Sequence, residues 1–523
     1  MQKLYILAIV ILSNYQAFCQ STLITPGNSQ PNITATSANS GIIPPKLTST
    51  QRDAIVNPTE GLTIYNLTSH CLEFYRGSAW YNICTNSNVA NVNNRLYGGN
   101  STEFFTRGTL DGDGHPVVIN LTSDGGYILA GATLSSVNGN VTGTNHGGYD
   151  IWVVKFDALG NIQWQKLIGG SFDEYAFQIQ QTSDGGYIIG GNSNSSQSGD
   201  VTQTSRGDFD FWVVKLTSIG DISWNKLLGG NNTDFLSDLK QTSDGGYVAT
   251  GFSRSSQSGD ITDINHNDKD YWVVKLTNLG VISWNKLIGC NTTEGPFAIS
   301  QTSDGGYIVG GTSDGNNDGD VTNTNHGYYD FWLVKLNSDG TIQWNKLYGG
   351  LAYEGIFSMQ VTSDGGYILA GLSQSSSTGD VVGNNRGGYD SWIMKVDNLG
   401  NIAWTKLLGG AGDDFATYII QNPDYSYILI GCSTSSVSGE VTATNHGDYD
   451  FWITKFSSTG TILWNKLLGG NGNDRAYSIT RLSNGDYIIA GASSSSNNGD
   501  VIDTNHGDSD FWIVKIDANG NIK

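Results

Sequence analysis

The sequence predicts an all-β protein, a seven-bladed β-propeller of four-stranded blades preceded by a small disulfide-linked hairpin module. Three observations carry that expectation. Tyr127, Tyr187, Tyr247, Tyr307, Tyr367, Tyr427 and Tyr487 recur every sixty residues without a slip, and so do Trp152, Trp212, Trp272, Trp332, Trp392, Trp452 and Trp512. Each sixty-residue period holds four short segments rich in β-branched and aromatic residues, bounded by Gly, Asp, Asn and Ser. With Gly 69 against Pro 8, 38% hydrophobic and 14% charged residues, the composition suits neither a helical nor a disordered chain. A stack of such units leaves its end sheets exposed; a closed ring of seven does not.

From the N-terminus, Lys3 and the apolar run Leu4 to Leu12 lead to Ala17-Phe18-Cys19, a signal-peptide pattern too short to span a bilayer. The expected organisation is a signal peptide over 1–19, a Ser/Thr/Asn/Pro-rich linker over 20–40, a small module over 41–88 and the propeller over 89–523. No later segment reaches membrane-spanning length. Cys71 and Cys84 flank the alternating pattern around Arg76-Gly77-Ser78, which reads as a hairpin that an exported protein can cross-link. Cys290 and Cys432 fall in different repeats and read as isolated buried thiols.

Within a repeat the β segments are Phe177 to Gln181, Tyr187 to Gly191, Phe211 to Leu216 and Ile222 to Leu228. Thr182-Ser-Asp-Gly-Gly186 and Thr217-Ser-Ile-Gly-Asp221 are the intervening turns, with glycine supplying positive φ. The fourth segment carries Trp164 through Trp464 in six repeats, and a seventh would fall just past Lys523. Asn94-Arg-Leu-Tyr-Gly-Gly99 matches Gln165-Lys-Leu-Ile-Gly-Gly170, so a strand from before the first repeat is expected to complete the last blade, although Asn93 stands where Trp belongs.

Ser183-Asp-Gly-Gly-Tyr187, Asp210-Phe-Trp-Val-Val-Lys-Leu216 and Trp224-Asn-Lys-Leu-Leu-Gly-Gly230 resemble the propeller repeats of secreted Bacteroidetes proteins, of the kind often associated with type IX secretion. Gly41 to Ile55, Pro58 to Asn66 and the Cys71–Cys84 hairpin resemble a short module at the start of such proteins, with fibre-like or attachment associations. The resemblance implies an extracellular or cell-surface location. Some of these proteins bear endoglucanase-like labels.

The acidic residues follow the period. Asp150, Asp210, Asp270, Asp330, Asp390, Asp450 and Asp510 stand two before the third-strand Trp, with His146, Arg206, His266, His326, Arg386, His446 and His506 four residues upstream. Glu103, Glu174, Asp234, Glu294, Glu354, Asp414 and Asp474 follow each Gly-Gly position and are candidate ring-face acids. Acid and base in every blade fit a scaffold that pins each long loop, whereas one active site needs one constellation. The third-strand Trp reads as inter-blade core. Asp314, Asn316, Asp318 and Asp320 offer oxygens at alternating positions and are a candidate Ca²⁺ loop, the alternative being a solvated turn. Asp111-Gly-Asp-Gly-His-Pro116 is a second acidic loop, in an insertion peculiar to the first repeat.

With 27 Lys+Arg against 48 Asp+Glu, the net charge of −21 argues against nucleic-acid binding. The expected function is a secreted, non-enzymatic scaffold that binds an extracellular protein or glycan. Its specificity is expected at polar loop positions that vary between blades, such as Gln197, Arg254, Asn317 and Ser377. The rival is an endoglucanase-like glycoside hydrolase, which needs two facing carboxyls.

Overall fold

The computed structural model describes residues 44–55, 58, 61–67, 71–76, 79–82, 94–103 and 117–523. Contacts divide the chain between Ala90 and Asn91. The signal-peptide and linker segments and the Asp111 loop lie outside the described residues, as does Cys84, and with it the Cys71–Cys84 pairing.

In the N-terminal unit the strands Lys46–Leu47, Thr63–Asn66, Cys71–Arg76 and Ala79–Asn82 form one sheet in that order. The last two pair antiparallel as the expected hairpin, Phe74 opposite Tyr81. Before the second strand a single helical turn, Ser49–Asp53, starts at Thr48, whose side chain accepts from Gln51 N while Gln51 Oε1 accepts from Thr48 N (2.9 Å). Glu73 is buried and ties the unit together, accepting from Arg52 Nη1 at 2.8 Å and Asn66 Nδ2 at 2.9 Å.

The second unit consists, among the described residues, of seven four-stranded antiparallel sheets, none closed on itself. The second sheet is typical: Glu174–Gln181, Tyr187–Ser193, Asp210–Leu216 and Ile222–Leu228, each strand paired with its sequence neighbour. Its second and third strands are buried along their whole length, whereas the fourth is only partly buried. That gradient runs from a doubly covered interior to an outer edge. These are repeated propeller-like blades. Ser183-Asp-Gly-Gly turns the first strand into the second because Gly185 adopts φ +82°, and Gly220 does the same between the third and fourth at φ +84°.

The seventh sheet is completed from the far end of the chain. Asn94–Tyr97 pairs antiparallel with Asp510–Ile516, Trp512 opposite Leu96 and Val514 opposite Asn94. Asn94 Oδ1 accepts from the Trp512 indole (2.7 Å), the role Asn345 plays for Trp332 (3.1 Å), so the borrowed strand sits in the register of an ordinary fourth strand. Neighbouring blades meet by their first strands. Ile299 N donates to Asp238 Oδ2 (3.0 Å) and Ile419 N to Ser358 Oγ (3.2 Å). The last blade meets the first in the same way, through Ile119 N and Ser478 Oγ at 3.1 Å.

The third-strand tryptophans are fully buried, and the aromatic residue before one lies against the next: Phe331 on Trp392 and Phe451 on Trp512 with centroids at 4.5 Å, Phe511 on Trp152 at 5.7 Å across the seam. They are inter-blade core, as their spacing suggested.

Candidate functional site

Each blade junction is built around the pair that leads from one blade into the next, Gly-Gly everywhere except Gly289-Cys290 between the third and fourth blades. At the first junction Gly169 and Gly170 lie beneath the long loop of the second blade. Asp200 N donates to Gly169 O (2.8 Å), and Ser171 N donates to Ser198 Oγ (3.0 Å). A Cβ at Gly169 would fall on Asp150 Oδ1, so only glycine fits there. The loops and the Gly-Gly connections therefore share one side of the blades.

The loops are pinned from within. In the first blade Asn145 accepts from Gly147 N (2.8 Å) and donates to Gly148 O (2.9 Å), and Asp150 Oδ2 accepts from both His146 N (2.9 Å) and His146 Nδ1 (2.7 Å). The His326–Asp330 and His446–Asp450 pairs repeat this geometry. The basic group also reaches the next blade: Arg206 bonds Asp260, Arg386 bonds Glu440, and His326 Nε2 lies 3.9 Å from Asp380 Oδ2. At the seam the corresponding residue is Asn140, which accepts from Gly98 N (3.1 Å). The repeated acid–base pairs are structural fasteners.

Burial corrects the expectation of ring-face acids. Glu103, Glu174, Asp234, Glu294, Glu354, Asp414 and Asp474 are all fully buried. All but Glu103 start a first strand, and second-strand hydroxyls and an amide of the preceding turn converge on them; Glu103 accepts from the Thr133 hydroxyl in the same way (2.9 Å). Glu174 accepts from Gly170 N and Ser193 Oγ, both at 2.6 Å. Burial pushes the Glu103, Glu174 and Glu294 carboxyls up to about 7 and Asp234 to about 6.

In the candidate calcium loop Asp314, Asp318 and Asp320 each accept from backbone amides: Asp314 Oδ1 from Thr293 N (2.9 Å), Asp318 from Asn291 N and Asn316 N (both 3.1 Å), and Asp320 from Gly289 N (3.1 Å). The Asp318 role is filled by Ser198, Thr378 and Asn498 in other blades, so this carboxylate is a variant of a general loop clasp. Among the described residues no cluster of three or more His, Cys, Asp or Glu side chains is placed to hold a metal. The proposed specificity positions divide: Gln197, Asn317 and Ser377 stand at loop tips with φ of 47°, 53° and 49°, while Arg254 is tied to Asp268 (2.8 Å).

One junction departs from the common pattern. Between the fourth and fifth blades a cleft of about 390 Å³ is lined by Thr324, His326, Lys346, Tyr348, Asp380 and Asn401. Tyr348 stands where the second to sixth blades otherwise have Ile or Leu, and its hydroxyl donates to Gly400 O (2.5 Å). Lys346 Nζ donates to Asn401 Oδ1 (3.0 Å) across the same boundary. At this junction Tyr328 is 73% and Leu351 68% exposed, and Tyr328 N donates to Ala352 O (3.3 Å). Other blades place Gly or Asp at the Tyr328 position and Ser, Asn or Ala at the Leu351 position. The signal was present in the sequence as apolar departures at otherwise small or polar loop positions.

Residues 24–95 match the Phage tail like trimerisation region. The chain is 26% identical over 185 residues to the regulatory protein FlaEY of Caulobacter vibrioides, covering 32% of this chain and 18% of that protein. The chain thus spans under a fifth of the length of this curated relative. Among solved structures, the hydrazine synthase of Kuenenia stuttgartiensis is similar at TM-score 0.46 and 11% identity, over 80% of this chain and 99% of that one. The Pan2 WD40 domain of Neurospora crassa has a TM-score of 0.42 and 11% identity, over 81% and 96% of the two chains. A protein of unknown function from Dyadobacter fermentans has a TM-score of 0.40 and 12% identity, over 81% and 98%.

Proposed function

We propose that the chain is a secreted or cell-surface, seven-bladed propeller that binds an extracellular protein or glycan without transforming it, at the junction of the fourth and fifth blades. The observation that carries this reading is the coincidence at one junction of a polar cleft with two exposed apolar side chains that no other blade has in those positions. Polar groups of both kinds line the cleft: the Lys346 ammonium, which donates to Asn401 Oδ1, the Asp380 carboxylate and the Thr324 hydroxyl, with the Tyr348 ring among them, and Tyr328 is exposed on the same blade. Polar groups at fixed positions next to an aromatic anchor are the usual composition of a binding site.

The match of residues 24–95 to a trimerisation region supports a homotrimer, in which three propellers raise the avidity for a repetitive surface well above that of one site. Export and a Cys71–Cys84 disulfide belong to the same reading. The hydrolase alternative needs a carboxyl pair open to a sugar, and the seven acids nearest to forming pairs are sealed from solvent.

The test is a glycan and surface-protein binding screen with purified full-length protein, followed by the double variant Tyr328→Ala/Asn401→Ala. A ligand that loses tenfold or more in affinity places binding at this junction. A ligand held equally well by the variant removes the site, and reducing-sugar release by the parent protein would reinstate the hydrolase.

A further inference from the structure

All seven third-strand aspartates share an anomaly. One oxygen of Asp150 accepts from His146, yet Oδ1 of Asp150, Asp210, Asp270, Asp330, Asp390, Asp450 and Asp510 is buried without any donor. A buried acceptor left in that state is costly, and its recurrence in all seven blades calls for a common partner. Gly169 locates one. A Cβ there would land on Asp150 Oδ1 and lie 2.8 Å from Glu174 Oε2, so the two carboxyl oxygens converge on the same glycine. The same convergence is found at Gly98 with Asp510 and Glu103, at Gly409 with Asp390 and Asp414, and at Gly469 with Asp450 and Asp474.

Two ionised carboxylates are both acceptors and repel one another, so buried carboxyl oxygens that converge on one glycine are stabilised by a proton held between them. The surroundings favour this. Glu174 already accepts from Gly170 N and the Ser193 hydroxyl, and Asp150 Oδ2 from His146, which leaves the facing oxygens as the positions for one O–H···O bond. The other ionisable groups that face the pair are His146, on the loop of the first blade, and Asp200, on the loop of the second.

We propose that at this junction, and at its equivalents around the ring, the third-strand aspartate and the first-strand carboxyl of the next blade hold one proton between them and so fasten adjacent blades. When the proton is lost to solvent base, each junction gains a second buried negative charge and loosens. Glu174 is raised by burial to about 7 from an ordinary 4.5, so the folded protein binds the proton across a range in which the unfolded chain does not. The contribution is complete below the unfolded value and is lost as pH rises through about 7. The two acids titrate as a pair.

Denaturant unfolding of the full chain between pH 5 and 8 tests this. The parent protein is expected to lose stability with rising pH. Glu174→Gln is expected to fold, because its amide donates to Asp150 Oδ1 in place of the proton, and to flatten the profile by up to about tenfold in the unfolding constant per pH unit, one proton's share. Glu174→Ala should be weaker at every pH, since it strands Gly170 N. The proposal fails if Glu174→Gln keeps the parent slope, or if it is as unstable at pH 5 as Glu174→Ala. It also fails if a chelator lowers the parent's melting temperature at pH 7, which would put a cation where the proton is assigned. Independently of any variant, infrared spectra of the native protein at pH 6 should show the C=O stretch of protonated carboxyl groups; their absence overturns it.

Discussion

Asp330 shows how a single residue holds a loop. Its Oδ2 receives His326 N at 3.0 Å and His326 Nδ1 at 2.7 Å from within a fully buried position. Asp330→Ala should therefore cost roughly 1–3 kcal/mol in denaturant unfolding, because it leaves a loop amide without its acceptor. Asp318 makes the complementary case. Other blades clasp the same backbone amide with Ser, Thr or Asn, so Asp318→Ser should leave the melting temperature unchanged while Asp318→Ala lowers it. Neither effect should depend on calcium if the clasp is the carboxylate's whole role; a calcium-induced rise in melting temperature that Asp318→Ser abolishes would restore the metal site.

The third-strand lysines recur every sixty residues, from Lys155 to Lys515, at a position the strand otherwise buries. Lys275 is buried along a strand otherwise filled by Tyr, Trp, Val and Leu, and its ammonium meets Asp244 of the turn at 2.8 Å. With the Thr242 hydroxyl it holds the Asp244 carboxyl down to about 2. That sign is opposite to the one at Glu174: a depressed folded value gives stability that is present above the ordinary carboxylate range and lost as pH falls through about 2. Lys275→Met should remove this acid-side loss from the melting profile, and an unaltered profile below pH 4 would show that the ion pair contributes nothing.

Among the elements, the Asn94–Tyr97 strand matters most, because a propeller sheet that lacks its fourth strand presents a bare edge. The pairing with Asp510–Ile516 buries Leu96 and satisfies the Trp512 indole through Asn94. Deleting residues 89–99 should lower the melting temperature by many degrees or cause aggregation through the exposed edge of the third strand, and unchanged melting would refute closure by this strand. Asn94→Ala is a milder probe of the same element, since it removes partners of both the Trp512 indole and Asp500 O (2.8 Å) without deleting backbone. In the N-terminal unit Cys71–Arg76 pairs antiparallel with Ala79–Asn82, as its alternating pattern predicts. Mass spectrometry of the exported, unreduced protein should find Cys71 linked to Cys84, and two free thiols there would discard the bridge.

For the whole molecule, seven repeats of one length make the junctions nearly interchangeable, and the departures are confined to particular boundaries. Six of the blade boundaries pair a basic group with an acid of the next blade or place one at that position, while the seam substitutes Asn140. The fourth boundary keeps its fastener, yet adds Tyr328, Leu351 and Tyr348. If residues 24–95 trimerise the chain, sedimentation of the full-length protein should give three times the chain mass, and a monomer at micromolar concentration would limit binding to one cleft per particle.

The sequence by itself determined the parts that repeat. Strand order, turn glycines, the buried third-strand tryptophans and the borrowed strand were legible, because each recurs every sixty residues and an exception to sixty is easy to see, whereas the first strand begins at Glu174, three residues before the expected Phe177. What the period left open was which side of each acid faces water. Glu174 and Asp150 lie twenty-four residues apart and belong to different blades, and nothing in their spacing says that their oxygens meet over Gly169. The cleft, too, joins the fourth blade's outer strand to a turn of the fifth more than fifty residues away, as Tyr348 and Gly400 show. Burial and convergence are properties of the packing between blades, and only the tertiary structure, by stacking one repeat against the next, decided them.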